Sequence, residues 1–304
     1  MNRLSAVVPA DGRPTLARCL SGIRAADRPP EELVVVTGPG VIGRARNLGA
    51  ARTTGDVLVF VDSDVVVHPD SFVRIRTALE ADPGLAAIFG SYDATPADPG
   101  VVSQFRNLLH HYVHQQSAGR ATTFWSGLGA VRRDAFLAVG GFDPRQRSVE
   151  DIELGMRLHA GGWRIRLDPD LQGTHLKRWT LRRMLVADTL SLGASWVALM
   201  IRHRSIPRGL NLGWPHRLSA LAVAAGIAGL ATSRPRIAVT APLAVVGLNL
   251  GFYRLLLRRV GTAKASASIL LHVLHYLSAL AAVPAGVLVY LLELMDGALP
   301  VRSR

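Results

Sequence analysis

Val57-Leu58-Val59-Phe60-Val61-Asp62-Ser63-Asp64-Val65-Val66-Val67 reads as an apolar strand that runs into two aspartates and then into a second apolar run. Five consecutive apolar residues, mostly β-branched and closed by a polar stop, predict a strand covered on both faces. One residue separates Asp62 from Asp64, so an extended backbone sends both carboxylates to the same side. Set between apolar runs, the pair is poorly solvated without a cation, and carboxylate oxygens suit Mg2+ or Mn2+. Two aspartates in a surface turn are the plainer alternative.

Outward from this stretch, strand and helix patterns alternate. Leu4 to Val8 is a short apolar run ended by Pro9, and Leu16, Cys19, Leu20 and Ile23 then share one helical face. Leu33 to Val36 ends at Gly38-Pro39-Gly40, and a helix fits Ile42 to Ala51. A helix at Ser71 to Glu80 and a strand at Ala86 to Gly90 follow. The pattern predicts an α/β fold with a mostly parallel, Rossmann-like sheet covered on both sides, whose ligands sit at the carboxyl ends of the strands. The stretch Gln104 to Gln116 carries His110, His111 and His114; no local carboxylate completes a metal site, and a solvated or headgroup-facing helix is expected. Ser148 to His159 reads as a helix stopped by Gly161-Gly162.

The chain has 304 residues, 49% of them hydrophobic, enough for one large core and a further region. Its single cysteine, Cys19, can form no internal disulfide, in keeping with a reducing compartment. The formal charge of +13 asks for anionic partners. The basic residues do not interleave with aromatics as a nucleic-acid surface would, so the expected partner is a bilayer. Pro9 and Asp11 interrupt the first apolar stretch, so no secretory signal is expected there and the first domain is expected to stay in the cytoplasm.

Residues 1–180 are expected to form the α/β domain and 181–215 an interfacial amphipathic helix with a linker. Residues 216–304 are expected to form an all-α transmembrane region of about three helices, near 218–233, 237–257 and 268–292. Arg202, Arg204, Arg208 and Arg217 precede the first span, and Arg254, Arg258, Arg259 and Lys264 lie between the second and third. Both groups belong on the cytoplasmic side of a multi-pass inner-membrane protein, against which Arg302 and Arg304 are a mild violation. His272 and His275, one turn apart, suit hydrogen bonds between helices.

A second acidic group, Glu150-Asp151, heads the helix through Leu154 and Leu158, where Ser148-x-x-Asp151 also reads as a capping box. Upstream lie Trp125-Ser126-Gly127 and Gly140-Gly141-Phe142-Asp143. In order, the chain presents Val7-Val8-Pro9-Ala10, Gly43-x-x-Arg46-Asn47-x-Gly49, Ala51-x-x-x-Gly55-Asp56, Asp62-Ser63-Asp64, Gly127 with Arg132 and Phe136, Gly140-Gly141-Phe142-Asp143 and Glu150-Asp151-x-Glu153-Leu154. To about Trp179 this resembles a family 2 glycosyltransferase of the GT-A fold, inverting in mechanism.

The resemblance implies that Pro9, Asp11, Arg46, Asp62, Gly127 and Glu150 surround a nucleotide-diphosphate sugar, that Asp64 holds Mg2+ or Mn2+, and that Asp151 is the catalytic base. An inverting transferase needs one carboxylate to take the acceptor proton, and a helix N-terminus is expected to keep Asp151 ionised. Two departures stand out. Thr37-Gly38 replaces the acidic pair usual after the second strand, and five residues separate Gln172 from Arg178-Trp179, unlike the Gln-x-x-Arg-Trp motif of processive synthases. His175, Lys177, Arg178 and Trp179 are expected either to close over a diphosphate or lipid phosphate, or to touch the membrane surface. Single-sugar transfer to a membrane-associated or lipid-linked acceptor at the cytoplasmic face is therefore expected. A polyprenyl-phosphate glycosyl donor synthase and a non-catalytic membrane scaffold are the alternatives.

Overall fold

The computed structural model describes residues 2–10, 12–38, 40–207 and 209–296. Asp11, Pro39, Arg208, Arg302 and Arg304, on which expectations were placed, lie outside the described residues. Backbone packing divides the chain into two compact units, residues 1–99 with 106–178 and residues 100–105 with 179–304.

In the first unit the elements are β1 (Leu4–Ala10), α1 (Leu16–Ala25), β2 (Glu32–Thr37), α2 (Ile42–Ala51), β3 (Val57–Val61), β4 (Val65–Val67), α3 (Ser71–Ala81) and β5 (Leu85–Tyr92). Then come α4 (Val101–Gln116), whose start counts with the second unit, β6 (Gly119–Ala121), β7 (Leu128–Arg132), α5 (Arg133–Ala138), α6 (Glu150–Ala160) and β8 (Arg164–His175). The sheet order is β2-β1-β3-β7-β5-β8-β4, with β6 beside β8. β1, β2, β3, β5 and β8 run one way, while β7, β4 and β6 oppose them. The sheet is thus mostly parallel in direction, with β7 inserted antiparallel between β3 and β5. Every residue of β3 is buried, and Val57, Val59 and Val61 join Leu4, Val8, Phe72, Ile75 and Ile88 in the main core. Each such side chain contributes about 1.5–3 kcal/mol relative to exposure.

Four local expectations are corrected. Pro9 does not end β1: it pairs in register with Val36 of β2, beyond the last residue facing β3, where a missing N–H is tolerated. Asp62-Ser63-Asp64 is not extended, because the Val65 amide donates to the Asp62 carbonyl at 2.9 Å and closes a tight turn into β4. α6 does not start where the capping-box reading puts it: its N-cap is Val149, at φ 54° and without a side-chain cap bond, rather than Ser148. A β-branched residue in the left-handed region is strained, and such strain gathers at functional sites. The helix carrying His110, His111 and His114 is not solvated there: His114 is buried and donates from Nδ1 to the Gly90 carbonyl at 2.8 Å, and the His110 ring packs, tilted, against Tyr92 at 4.2 Å.

The second unit is helical: α7 (Leu181–Val186), a π-helical stretch Ala187–Ala194, α8 (Ser195–His203), α9 (Trp214–Ala231), α10 (Pro235–Leu248) and α11 (Leu250–Met295). The segment expected to lie in the interface is one continuous run, Leu181–His203, of 23 residues. It and Leu250–Met295 are, among the described residues, the two helical runs long and apolar enough to cross a membrane by length and composition. The second is broken at Gly261, whose φ of 77° and ψ of 171° separate 250–260 from 262–295. The basic stretch expected as a connection is therefore helical on both sides of one glycine.

Small residues let the Leu181–His203 run pack closely on the last helix: a Cβ on Gly193 would stand 2.7 Å from Ala282, and one on Gly286 2.5 Å from Val197. Two polar pairs share this interface, a hydrogen bond between Asp188 and His275 Nδ1 at 2.8 Å and an ion pair of Arg202 Nη2 with Glu293 at 2.5 Å. His272 meets Tyr253 across the Gly261 break, and Asn249 joins Ser219 to Tyr276. Both histidines make the inter-element hydrogen bonds their spacing suggested.

Candidate active site

The turn after β3 and the start of α6 meet through one side chain. Arg46, on the buried face of α2, is 2% exposed and donates from Nη2 to Asp62 Oδ1 at 2.7 Å and from Nη1 to Glu150 Oε1. Its guanidinium also lies 5.3 Å over the Phe142 ring. Burial works against its charge, yet Asp62, Glu150 and Asp151 together raise its pKa, so it stays cationic. Beside it, Asn47 clasps the Gly140-Gly141-Phe142-Asp143 segment: its amide donates to the Phe142 carbonyl at 2.8 Å and accepts from the Phe142 amide at 2.9 Å. The Arg46-Asn47 pair thus ties two distant glycine-rich segments to the strand end.

Asp151 is half-buried on the first turn of α6. Its Oδ2 accepts from the Ser126 amide at 3.0 Å and the Ser126 hydroxyl at 3.1 Å, and its Oδ1 accepts from the Ile152 amide at 2.8 Å. Burial pushes its pKa up, against the pull of Arg46 and the Ser126 amide. That reverses the expected direction, in which the helix start alone set the balance, and it makes the carboxylate a better proton acceptor. Glu150, buried beside Arg46, is likewise raised by burial. Gly127 completes the arrangement: its carbonyl accepts from the Asp62 amide at 3.1 Å. The Trp125 ring lies where a Cβ on Gly127 would be, 2.2 Å away, so only glycine fits.

Asp64 faces a different set of groups. Its side chain is 7% exposed, and Oδ2 accepts from Arg13 Nη1 at 2.5 Å while His175 Nε2 stands 3.9 Å away. Burial and the Asp62 charge raise its pKa, and Arg13 and Lys177 oppose them. The His175 ring stacks on Tyr92 at 4.0 Å, and Tyr92 in turn packs against the tilted ring of His110. Burial lowers the His175 pKa to about 3, so the ring is neutral.

Among the residues singled out from sequence, Pro9, Arg46, Asp62, Asp64, Gly127, Glu150, Asp151, His175 and Lys177 all belong to the first unit, and contacts link most of them. Arg178 is 81% exposed, 4.0 Å from Asp98, and Trp179 falls in the second unit, where its amide donates to Ser103. Sequence reasoning missed three participants. Ser126 was quoted without a role, Arg13 lies in the loop after β1, and Tyr92 ends β5 without any motif around it.

The sequence pattern described as glycosyl transferase family group 2 matches residues 57–295. A pre-mycofactocin glycosyltransferase of Mycobacterium tuberculosis is 30% identical over 166 residues, 52% of this chain and 35% of that protein. An uncharacterized glycosyltransferase of Haemophilus influenzae is 25% identical over 125 residues, 38% of this chain and 39% of that protein. The matched stretches thus span less than half of either relative. A mannosyltransferase from Pyrobaculum calidifontis, solved with GDP-Man and Mn2+, superposes with a TM-score of 0.54 at 15% identity, over 95% of this chain and 87% of that one. Fold likeness over nearly the whole chain and a family pattern running from the β3 strand to the last helix agree: the chain belongs to glycosyl transferase family group 2.

Proposed function

We propose that this chain moves a single sugar, with inversion, from a nucleotide-diphosphate sugar to a membrane-associated or lipid-linked hydroxyl acceptor at the cytoplasmic face. The observation that carries this reading is Arg46, which bonds Asp62 on the donor side and Glu150 on the side of the base. One buried guanidinium thereby couples the positions of the two carboxylate groups that transfer requires.

Asp151 takes the acceptor proton as the acceptor oxygen attacks the anomeric carbon opposite the departing diphosphate. Ser126 aims that carboxylate through two hydrogen bonds. Pro9, Asp62 and Gly127 serve the nucleotide side, and Lys177 and His175 the diphosphate. Arg178 and Trp179 are left for the membrane surface or a lipid phosphate.

The donor set fits a divalent cation shared with a ligand. Among the described residues no three side chains of His, Cys, Asp or Glu make a complete cage. Asp64 offers a buried carboxylate with a neutral imidazole close by, so Asp64 would hold Mg2+ or Mn2+ with the remaining positions filled by phosphate oxygens and water. When bound, such a cation offsets charge on the leaving diphosphate. The GDP-Man and Mn2+ of the solved mannosyltransferase support this choice of donor and metal.

The membrane side of the reading is supported by the Leu181–His203 and Leu250–Met295 runs and by Arg254, Arg258, Arg259 and Lys264 around the Gly261 break. The test is to incubate the full chain in lipid with radiolabelled UDP- and GDP-sugars, Mn2+ and extracted membrane lipids, then analyse the products. The reading expects one labelled lipid product stable to mild acid. An acid-labile product makes the acceptor a phosphate, and nucleotide binding without any turnover makes the chain a scaffold.

A further inference from the structure

Asp62 and Asp64, two residues apart, are neutralised in opposite ways. The partner of Asp62 is Arg46, locked under α2 at 2% exposure and held by Glu150 as well. The partner of Asp64 is Arg13, whose side chain is 44% exposed and sits on the loop between β1 and α1. The residue before it, Gly12, has φ +80°, a conformation that favours glycine, and nothing lies within 4 Å of where a Cβ would stand. Arg13 bonds the carboxylate that the donor reading above assigns to a divalent cation. Two cations cannot share one buried carboxylate without strong repulsion, and an arginine released beside a diphosphate meets an anion that matches its fork.

We propose that Arg13 is an exchangeable counter-ion of Asp64: it competes with the divalent cation for the carboxylate and, once displaced, binds the donor's diphosphate. The exchange makes metal binding weak until a nucleotide diphosphate arrives, because the diphosphate offers the displaced guanidinium a bidentate anionic partner. Metal and donor consequently bind cooperatively, and Arg13 supplies the coupling.

The proposal rests on the donor reading, and its test separates the two. Mn2+ binding to the full chain in lipid nanodiscs is followed by the electron paramagnetic resonance signal of free Mn2+, first alone and then with UDP or GDP. In Arg13→Gln, Mn2+ alone is expected to bind about fivefold to tenfold tighter, while UDP or GDP at saturating Mn2+ binds about tenfold weaker. Arg13→Lys, which keeps the charge but not the fork, is expected to lie between. Unchanged or weaker Mn2+ binding in Arg13→Gln overturns the exchange. Asp64→Asn is expected to abolish the Mn2+ site in every background; Mn2+ binding that survives it overturns the metal assignment itself, and with it the exchange.

Discussion

In the sheet unit Arg46 lies buried with two carboxylates on one guanidinium, whereas in the helical unit Asp188 faces His275 and, further along, Arg202 faces Glu293. The first arrangement converges: α2, the β3 turn and α6 all end on Arg46, and Asp151 and Asp64 hang from the same turns. The second is distributed along a helix pair, with the close contacts of Gly193 and Gly286 between the two polar pairs. Converging charge builds a site, and spaced charge sets the register between helices. The cost of breaking each should therefore differ in size and in what it damages.

The largest loss of stability is expected from Arg46→Met, which strands Glu150 in a buried position. Breaking one side of a buried ion pair costs about 3–5 kcal/mol, so the denaturant midpoint of the sheet unit should fall steeply and donor binding should vanish with it. A loss near that of a surface pair would mean that the convergence is incidental. Next comes Ser126→Ala, which removes one of the two Ser126 bonds to Asp151 and leaves the fold intact. A single hydrogen bond to a charged group is worth about 1.5–3 kcal/mol, so kcat should drop roughly tenfold or more with little change in KM for the donor; a change in KM alone would mean that Ser126 serves donor binding.

In the helical unit Asp188→Asn should cost less. Polar pairs between helices in a bilayer average about 0.6 kcal/mol, with about 1.7 kcal/mol as the upper end, and thermal unfolding in lipid should shift slightly while turnover persists. Smallest is an acid effect at the sheet edge. Hydrogen bonds from the Ser5 and Thr54 hydroxyls hold the Glu32 carboxyl down at about 2, from an ordinary value of 4.5. The stabilisation is present above pH 4.5 and is lost as pH falls toward 2. Glu32→Gln should thus be less stable than the parent chain at pH 6, and the gap should narrow by pH 3; a constant gap would assign the loss to packing.

What could be read from the residues follows the same division. Val57–Val61, Ile42–Ala51 and the helix from Ser71 were legible because local periodicity and burial agree there. The motif order also placed Asp62, Arg46 and Glu150 in one family pattern, though not in one hydrogen-bonded group. The insertion of β7 between β3 and β5 was not legible, since pairings such as Phe60 with Gly129 join residues far apart in sequence. The turn at Asp62-Ser63-Asp64 escaped because its closing bond depends on β4 pairing with β8. Arg13 escaped because an arginine in a loop carries no periodicity at all. In the helical unit, composition reported apolar stretches, but helix ends there depend on single residues such as Gly261 and on contacts such as Asn249 with Ser219.

The central claim is that Asp151, steered by Ser126 and coupled through Arg46 to the donor side, accepts the proton in sugar transfer. Its most direct test compares initial rates of lipid glycosylation for the parent chain and Asp151→Asn, with donor and Mn2+ affinity measured in parallel. The account predicts a fall in kcat of about 10²- to 10⁴-fold with both affinities kept within a few-fold. Transfer at the parental rate in Asp151→Asn would contradict it.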